Sequence, residues 1–273
     1  QWFGDKYRFL IDKGIDGFWN DMNEPAIFYS EKRLKKVFEK MEDYKKMNLD
    51  VNTFFEMTGM IGSICNNPED YASFYHNYKG KRYRHDQVHN LFGYYMTRSA
   101  SEAFERYVPE KRILLFSRAS YIGMHRFGGI WQGDNASWWS HLKMNVKMMP
   151  SLNMCGFLYT GADVGGFGAD ATEDLVLRWL EFAVFTPLLR NHSARGTRRQ
   201  EVYRFSHVEK FADVIGVRYQ ILPYIYSEYM KAALRNTMMF NPLSFLYGED
   251  ALARQVEDQL FIGENVMVAP VCE

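Results

Sequence analysis

Short apolar runs alternate with longer amphipathic stretches along most of the chain. The apolar runs predict buried strands over residues 15–20, 112–116, 156–160 and 187–189. Stretches with a 3.6-residue apolar period predict helices over residues 31–46, 88–107, 138–149, 174–185 and 205–234. Pro223 is expected to interrupt the last of these helices, because proline lacks the N–H that a helix interior needs. The alternation of strands and helices indicates an α/β fold with a parallel sheet.

One segment departs from this alternation. Residues 31–46 are strongly charged, include the i, i+4 pair Glu31–Lys35, and predict a solvated surface helix. From residue 48 to residue 82 the pattern is irregular, with a turn at Asn66-Asn67-Pro68. We therefore predict an inserted excursion from the main fold at about residues 29–85.

Polar or charged side chains follow the predicted strands, at the point where each strand ends. They are Asp21, Arg118, Asp163, Arg190 and His192. Strand ends that only pack in a core favour apolar residues, whereas a (β/α)8 TIM barrel assembles its active site from the loops at this face. With a further strand at about residues 238–245, about five strands follow Gly14, and a barrel needs eight. The chain is therefore expected to be either an incomplete barrel or a different α/β fold, and its start on a helix favours the incomplete barrel.

Charge balance and cysteine usage limit the partners and the compartment. The 273 residues include 33 basic and 33 acidic side chains, and this zero formal net charge argues against binding to nucleic acid or to an anionic membrane. No apolar run approaches the roughly 18 residues of a membrane span. The cysteines Cys65, Cys155 and Cys272 are odd in number and far apart. This pattern excludes a disulfide framework and favours a reducing, cytoplasmic location.

The sequence predicts neither a metal site nor a cofactor. His85 and His89 have the i, i+4 spacing of ligands on a helix, but Asp86, the nearest further ligand, would point elsewhere on that helix. The glycine-rich run 161–168 lacks the strand–GxGxxG–helix order of a dinucleotide site. Its Asp163 would also repel a phosphate.

Two carboxylates in separate loops each follow a tryptophan closely: Asp21 follows Trp19, and Asp134 follows Trp131. Taken singly, each aspartate is explained as a helix cap or a turn residue. As a pair they fit glycoside cleavage, in which an ionised carboxylate attacks the anomeric carbon and a protonated one donates to the leaving oxygen. Aromatic residues make up 16% of the chain, either as core or as the flat walls of a binding site. The two indoles would suit the apolar face of a sugar.

These and three further blocks resemble the signature motifs of family 31 glycoside hydrolases, a family of α-glucosidases and related α-glycosidases. The blocks are, in order, Trp19-Asn20-Asp21-Met22-Asn23-Glu24-Pro25, Ser117-Arg118, Trp131-Gln132-Gly133-Asp134-Asn135, Gly161-Ala162-Asp163-Val164-Gly165-Gly166-Phe167 and Arg190-Asn191-His192. Their order and gaps are far more specific than any single block. The resemblance runs from about Phe3 to Val271.

The resemblance implies a role for each matching residue. Asp21 corresponds to the family's nucleophile, and Asp134 to the general acid that later acts as general base. Arg118 and His192 would donate hydrogen bonds to ring hydroxyls, and Asp163 would accept from hydroxyls or orient Arg118. The walls of the subsite for the cleaved sugar would be Trp19, Met22, Trp131 and Phe167. Arg118 is also expected to hold the charge of Asp21, and apolar walls to keep Asp134 neutral.

The resemblance also implies the domain organisation. Residues 1–263 would be the C-terminal five-eighths of a (β/α)8 catalytic barrel, about strands 4 to 8, and residues 264–273 the start of a C-terminal β-sandwich region. The partners of the chain would be an oligosaccharide or α-glucoside substrate and the missing barrel strands and sandwich domains of its own full-length protein. One departure is Asn241-Pro242-Leu243, which stands where the family has Arg-Pro-Leu.

The expected function is that of a retaining α-glycoside hydrolase, specifically an α-glucosidase acting on α-linked oligosaccharides. A carbohydrate-binding or scaffold relative without catalysis is the alternative from a different class. An α-xylosidase or a transglycosylase would use the same fold and nucleophile.

Overall fold

The computed structural model describes all residues, Gln1–Glu273. They form two compact units. The first comprises Gln1–Ile113 and Arg118–Tyr121, and the second comprises Leu114–Ser117 and Ile122–Glu273. None of the helices is long and apolar enough to cross a membrane.

The first unit is mainly helical. Its elements are α1 (Trp2–Asp5), α2 (Arg8–Ile11), β1 (Gly17–Asn20), α3 (Glu31–Tyr44), α4 (Val51–Gly62), α5 (Pro68–Ser73), β2 (Tyr75–Tyr78), β3 (Lys81–Arg84), α6 (His85–Val88) and α7 (Leu91–Tyr107). Aromatic rings join β1 to the helices around it: Phe18 stacks on Phe104 at 5.1 Å between centroids, and Tyr7 meets both rings edge-on. Phe18 and Asn20 of β1 are buried, whereas Gly17 and Trp19 are exposed. This period of two directs Trp19 away from the core.

The predicted excursion is more regular than its sequence pattern indicates. Helices α4 and α5 and the antiparallel hairpin β2–β3 occupy most of the residues predicted to be irregular. The Asp50–Thr53 capping box begins α4, and Lys79 and Gly80 turn the hairpin with φ of 49° and 74°. Apolar side chains do recur at helical spacing in α4, at Val51, Phe54, Phe55 and Ile61, although all four are exposed in the structure. The prediction of irregular structure between residues 48 and 82 is therefore wrong.

The second unit contains most of the apolar core. Its elements are β4 (Leu114–Ser117), β5 (Gly129–Ile130), α8 (Trp139–Met154), β6 (Asp163–Val164), α9 (Glu173–Ala183), β7 (Arg190–Asn191), α10 (Val208–Arg235), β8 (Phe240–Pro242), α11 (Leu243–Leu246), β9 (Leu260–Ile262) and β10 (Val266–Val268). The parallel pairs are β4–β5 and β6–β7. Strands β8, β9 and β10 form an antiparallel sheet. The largest fully buried side chain is Trp179 of α9, which belongs to the same core cluster as Leu142, Phe211 and Phe240.

Three predictions of secondary structure in this unit need correction. Residues 156–160 form no strand, although the Tyr159 carbonyl accepts from the Ile130 N–H at 3.1 Å beside β5. The strand predicted at 187–189 lies at Arg190–Asn191. Helix α10 continues through Pro223. Pro223 and Tyr219, whose carbonyl loses its helical donor there, are both exposed, so water can satisfy that carbonyl.

The C-terminal boundary predicted at residues 263 and 264 falls in the turn between β9 and β10. Gly263 occupies this turn with φ of 62°, and its N–H donates to the Met239 carbonyl at 2.7 Å. Nearby, the Asn241 side-chain amide donates to the Gly263 carbonyl at 3.5 Å. The assignment of residues 264–273 to a sandwich region stays a prediction.

Candidate active site

Asp21 follows β1 directly, and its side chain is fixed from two sides. Its Oδ1 accepts a hydrogen bond from the Met22 N–H at 2.7 Å and lies 3.0 Å from Arg118 Nη1. Met22 has φ of 55°, a left-handed conformation that a non-glycine residue seldom adopts. Such strain persists only where surrounding contacts impose it, as often happens at functional sites.

Arg118 is placed beside Asp21 through both its backbone and its side chain. The Arg118 N–H donates to the Asn20 carbonyl at 3.0 Å. This bond sets Arg118 beside Asp21, the residue that follows Asn20. The Arg118–Asp21 ion pair agrees with the expectation that an arginine holds the charge of this aspartate.

Glu24 is a site residue that sequence reasoning missed. Its two carboxylate oxygens accept from Arg118 Nε at 2.7 Å and from Nη2 at 3.1 Å, a bidentate pair. Burial raises the pKa of Glu24, but the hydrogen bonds and charge of Arg118 and the charge of His89 outweigh it and lower the pKa below its usual value. The available signal was a second carboxylate three residues after Asp21 in the same block.

Helix α7 supports the same two loops. Asn23 Oδ1 accepts from the Ala119 N–H at 3.0 Å. This bond connects the loop of Asp21 to the loop of Arg118. A Cβ atom on Gly93 would lie 2.5 Å from the Ala119 Cβ and 2.9 Å from the Asn23 carbonyl oxygen. Only glycine therefore lets α7 pack this closely against the loops.

Gly93→Ala is expected to lower activity about tenfold or more while leaving the helix intact. Alanine favours a helix by about 1 kcal/mol over glycine, but here its Cβ displaces the loops that carry Asp21 and Arg118. Steady-state kinetics and circular dichroism on the purified variant would measure both effects. Gly59→Ala in α4 is the matched control, because a Cβ there meets nothing within 4 Å. If the two variants behave alike, the packing at Gly93 does not position the site.

Trp19 and Met22 present the exposed surface expected of sugar-contacting walls. Trp19 is 41% exposed and Met22 is 46% exposed. Both flank Asp21 in sequence, so a sugar ring placed over the carboxylate would cover apolar surface. Their roles as walls stay predictions.

Asp134 lies in a loop of the second unit that Asn135 anchors. The buried Asn135 amide donates to Asn145 Oδ1 at 2.9 Å and to the Asp163 carbonyl at 3.3 Å, and its own carbonyl accepts from the Phe167 N–H at 2.7 Å. These bonds fix the loop of Asp134 against the 163–167 loop. Asp134 itself is exposed. The apolar walls that the sequence analysis expects around it stay a prediction.

Asp163 forms a buried ion pair with Arg190, a second residue whose role sequence reasoning missed. Arg190 Nε donates to Asp163 Oδ1 at 2.6 Å, and the two residues are partners in the β6–β7 register. The guanidinium that Asp163 holds within this unit is that of Arg190, and its expected roles, accepting from hydroxyls or orienting Arg118, stay predictions. Burial raises the pKa of Asp163, and Asp134 adds to this, while the hydrogen bond and charge of Arg190 oppose the rise. The position of Arg190 just past a predicted strand was the available signal.

Trp131 is only 3% exposed, so little of its surface is available to a sugar. Its ring instead carries the Arg190 guanidinium, whose carbon lies 5.0 Å from the Trp131 centroid and 5.6 Å from that of Phe116. A cation over an indole is a favourable electrostatic contact. In this structure Trp131 supports the Asp163–Arg190 pair and is not an open wall.

Phe167 and His192 lie together. Their rings stack with centroids 5.2 Å apart and an interplanar angle of 30°. The buried Gln200 side-chain amide donates to the Gly166 carbonyl at 3.0 Å and to the His192 carbonyl at 3.3 Å, which joins the two loops. A flat surface with an imidazole edge is suited to sugar hydroxyls, and both roles stay predictions.

The predicted site residues thus form one group in each unit. Trp19, Asp21, Met22 and Arg118 belong to the first unit, and Trp131, Asp134, Asp163, Phe167 and His192 belong to the second. The separation of the Asp21 and Asp134 carboxyl groups stays a prediction. No group of three or more histidine, cysteine, aspartate or glutamate residues is arranged to hold a metal ion.

The chain is similar to family 31 enzymes over its whole length. Residues 1–228 match the model of the glycosyl hydrolases family 31 TIM-barrel domain. The chain is 32% identical to alpha-glucosidase 2 of Bacillus thermoamyloliquefaciens over 99% of its own length and 30% of that protein. It is 28% identical to the alpha-glucosidase of Saccharolobus solfataricus over 99% of its length and 38% of that protein.

Solved structures give the same result. A Flavobacterium johnsoniae dextranase of family GH31, complexed with glucose, superposes with a TM-score of 0.77 at 26% identity, covering 100% of this chain and 30% of the dextranase. The chain thus spans about a third of the length of these relatives, which agrees with the predicted incomplete (β/α)8 barrel. The matches confirm the resemblance found in the motifs. The chain therefore belongs to glycosyl hydrolase family 31 and forms part of that family's TIM-barrel domain.

Proposed function

We propose that the protein containing this chain is a retaining α-glucosidase. The observation that carries the proposal is Asp21 at a strand end, 3.0 Å from an arginine that Glu24 clamps in place. A carboxylate that is fixed in position and partly accessible in this way is suited to attack an electrophilic carbon. Family membership and the similarity to alpha-glucosidases support the same reaction.

The reaction proceeds in two displacements. In the first, Asp21 attacks the anomeric carbon, the bond to the leaving oxygen breaks, and Asp134 donates its proton to that oxygen. In the second, Asp134 takes a proton from water, the water oxygen bonds to the anomeric carbon, and the ester to Asp21 breaks. Two inversions leave the α configuration unchanged. Carboxyl groups about 5–5.5 Å apart suit this course, whereas inversion uses about 6.5–9.5 Å.

The other site residues bind the sugar in this proposal. Arg118 and His192 donate to ring hydroxyls, and Trp19, Met22 and Phe167 cover its apolar face. Asp163 acts through Arg190, which it holds beside Trp131. The substrate class is α-linked gluco-oligosaccharides, and the cytoplasmic location predicted from the cysteines is part of the same proposal.

The test is hydrolysis of p-nitrophenyl α-glucoside by the longest natural chain that contains these 273 residues. Proton NMR of the released sugar is expected to show α-glucose first, before mutarotation. Release of β-glucose first would exclude retention. Preference for p-nitrophenyl α-xyloside would indicate an α-xylosidase, and transfer to added sugar a transglycosylase. Silence toward α-glucosides, α-xylosides and α-galactosides would favour the carbohydrate-binding relative without catalysis.

A further inference from the structure

A chain of three imidazoles crosses the excursion. His76 Nε2 lies 2.8 Å from His85 Nδ1, and His85 Nε2 lies 2.8 Å from His89 Nδ1. His76 lies on β2, His85 begins α6, and His89 directly follows α6. The three imidazoles thus connect the hairpin to the start of α7.

The middle histidine is neutral. His85 is fully buried, and burial, together with the neighbouring His89 and His76, lowers its pKa to about 4. A neutral imidazole donates from one nitrogen and accepts at the other, so the two hydrogen bonds run in one direction along the chain. Phe28 stacks on His85 at 4.4 Å, and Tyr71 stacks on His89 at 4.6 Å. These contacts hold the imidazoles in fixed planes.

The excursion is itself fastened close to this chain. The buried Asp70 of α5 accepts from Ser30 Oγ at 2.7 Å and from Arg33 Nε at 2.6 Å, at the beginning of α3. The His85 N–H donates to the Phe74 carbonyl at 2.8 Å. These hydrogen bonds connect α5 to the beginning of α3, and α6 to the residue that follows α5.

The His89 end of the row of imidazoles is connected to the loop of the nucleophile. Phe28, which stacks on His85, lies four residues after Glu24, and Glu24 binds Arg118 through both oxygens. Arg118 in turn lies 3.0 Å from Asp21. A few residues after His89, Gly93 of α7 packs against Asn23 and Ala119, the neighbours of Glu24 and Arg118.

We propose that Glu24 is a positioning residue for the nucleophile, and that the His76–His85–His89 chain of the excursion supports it from behind. Glu24 engages Nε and Nη2 of the guanidinium, so Nη1 is the nitrogen that reaches Asp21. The guanidinium is planar, so Nη1 points at Asp21 only while Nε and Nη2 keep their hydrogen bonds to Glu24. The inference rests on the proposed function, because it assigns a role within that reaction.

Glu24→Gln tests the positioning role. Glutamine has the same shape but turns one acceptor into a donor that faces the guanidinium, so Arg118 is expected to leave Asp21. kcat/KM on p-nitrophenyl α-glucoside should fall about 10²-fold, as for a misplaced reacting group. The loss should fall on kcat with little change in KM, because Arg118 acts on the nucleophile in the reacting step. A rise in KM with kcat unchanged would show that Glu24 acts only on substrate binding.

The matched variants complete the experiment. Glu102→Gln, in a surface pair with Arg98 on α7, removes a carboxylate from the same unit and should change neither kcat nor KM. Glu24→Asp keeps the charge on a shorter side chain and should give an intermediate loss of kcat, and it serves as the test if Glu24→Gln does not fold. His85→Phe keeps a ring against Phe28 and should lower kcat by a smaller factor than Glu24→Gln.

The outcomes are distinct. Activity in the parent, with kcat unchanged in Glu24→Gln, would overturn the positioning role alone. A loss of kcat in Glu24→Gln without one in His85→Phe would overturn the support by the histidine chain. Silence in the parent would overturn the proposed function, and this inference with it.

Discussion

Asp21→Ala is expected to lower kcat/KM for p-nitrophenyl α-glucoside by at least about 10⁴-fold, because removing a nucleophile removes the covalent route. In the parent, Arg118 fixes this carboxylate from one side and the Met22 N–H from the other. Asp134→Ala should lose about 10²–10⁴-fold, the usual contribution of a general acid–base group. Steady-state kinetics in the longest natural chain would measure both.

Azide distinguishes the two roles. In Asp21→Ala, azide can take the place of the carboxylate and should restore turnover with a β-glucosyl azide as product. In Asp134→Ala, azide attacks the glycosyl-enzyme and should give the α-glucosyl azide. Asp213→Ala, at an exposed position of α10, is the control and should match the parent. A β product from the Asp134 variant, or near-parental activity in the Asp21 variant, would contradict the assignment.

Arg190→Met is expected to destabilise the protein by about 3–5 kcal/mol, because it leaves the charge of Asp163 buried and unpaired. Asp163 is fully buried, and Arg190 is 16% exposed. Urea unfolding at pH 7 would measure the loss. Since burial already raises the pKa of Asp163, the carboxyl group of the variant takes up a proton more readily when folded than when unfolded. The stability gap to the parent should therefore narrow as the pH is lowered.

Two further variants separate the buried pair from a general loss of charge. Arg204→Met breaks an exposed pair with Glu201 and should cost no more than about 1 kcal/mol. The double variant Asp163→Asn/Arg190→Met removes the buried charge as well and should recover part of the loss. Equal costs for Arg190→Met and Arg204→Met would show that the Asp163–Arg190 pair is not a stabilising element.

The two candidate catalytic carboxylates could be predicted from the sequence because the pattern that marks them involves residues close together in the sequence. Asp21 two residues after Trp19, and Asp134 three residues after Trp131, are relations that the sequence states directly. The strands before Asp21 and Arg118 were also predicted correctly, because a short apolar run needs only its own residues to be recognised. The excursion was misjudged although Val51, Phe54 and Phe55 of α4 recur at helical spacing, and the structure leaves these apolar side chains exposed.

Contacts between residues far apart in sequence required the tertiary structure. Glu24 and Arg118 are 94 residues apart, yet they form the bidentate pair that orients Arg118 toward Asp21. Arg190 and Asp163 meet only because β6 and β7 are parallel neighbours, and burial of Trp131 follows from the same packing. Side-chain type predicts which partners are chemically suitable, but not which of several arginines reaches a given carboxylate.

The sequence by itself determined the α/β class, the family motifs and the two candidate catalytic carboxylates. These depend on residue order and on periods of two or 3.6 residues, which are local properties of a chain. Only the tertiary structure decided that Glu24 holds Arg118, that Asp163 holds Arg190, and that the excursion carries a histidine chain toward Glu24. The reason is physical: hydrogen bonds and ion pairs depend on distances of about 3 Å, and folding sets those distances between residues that the sequence keeps far apart.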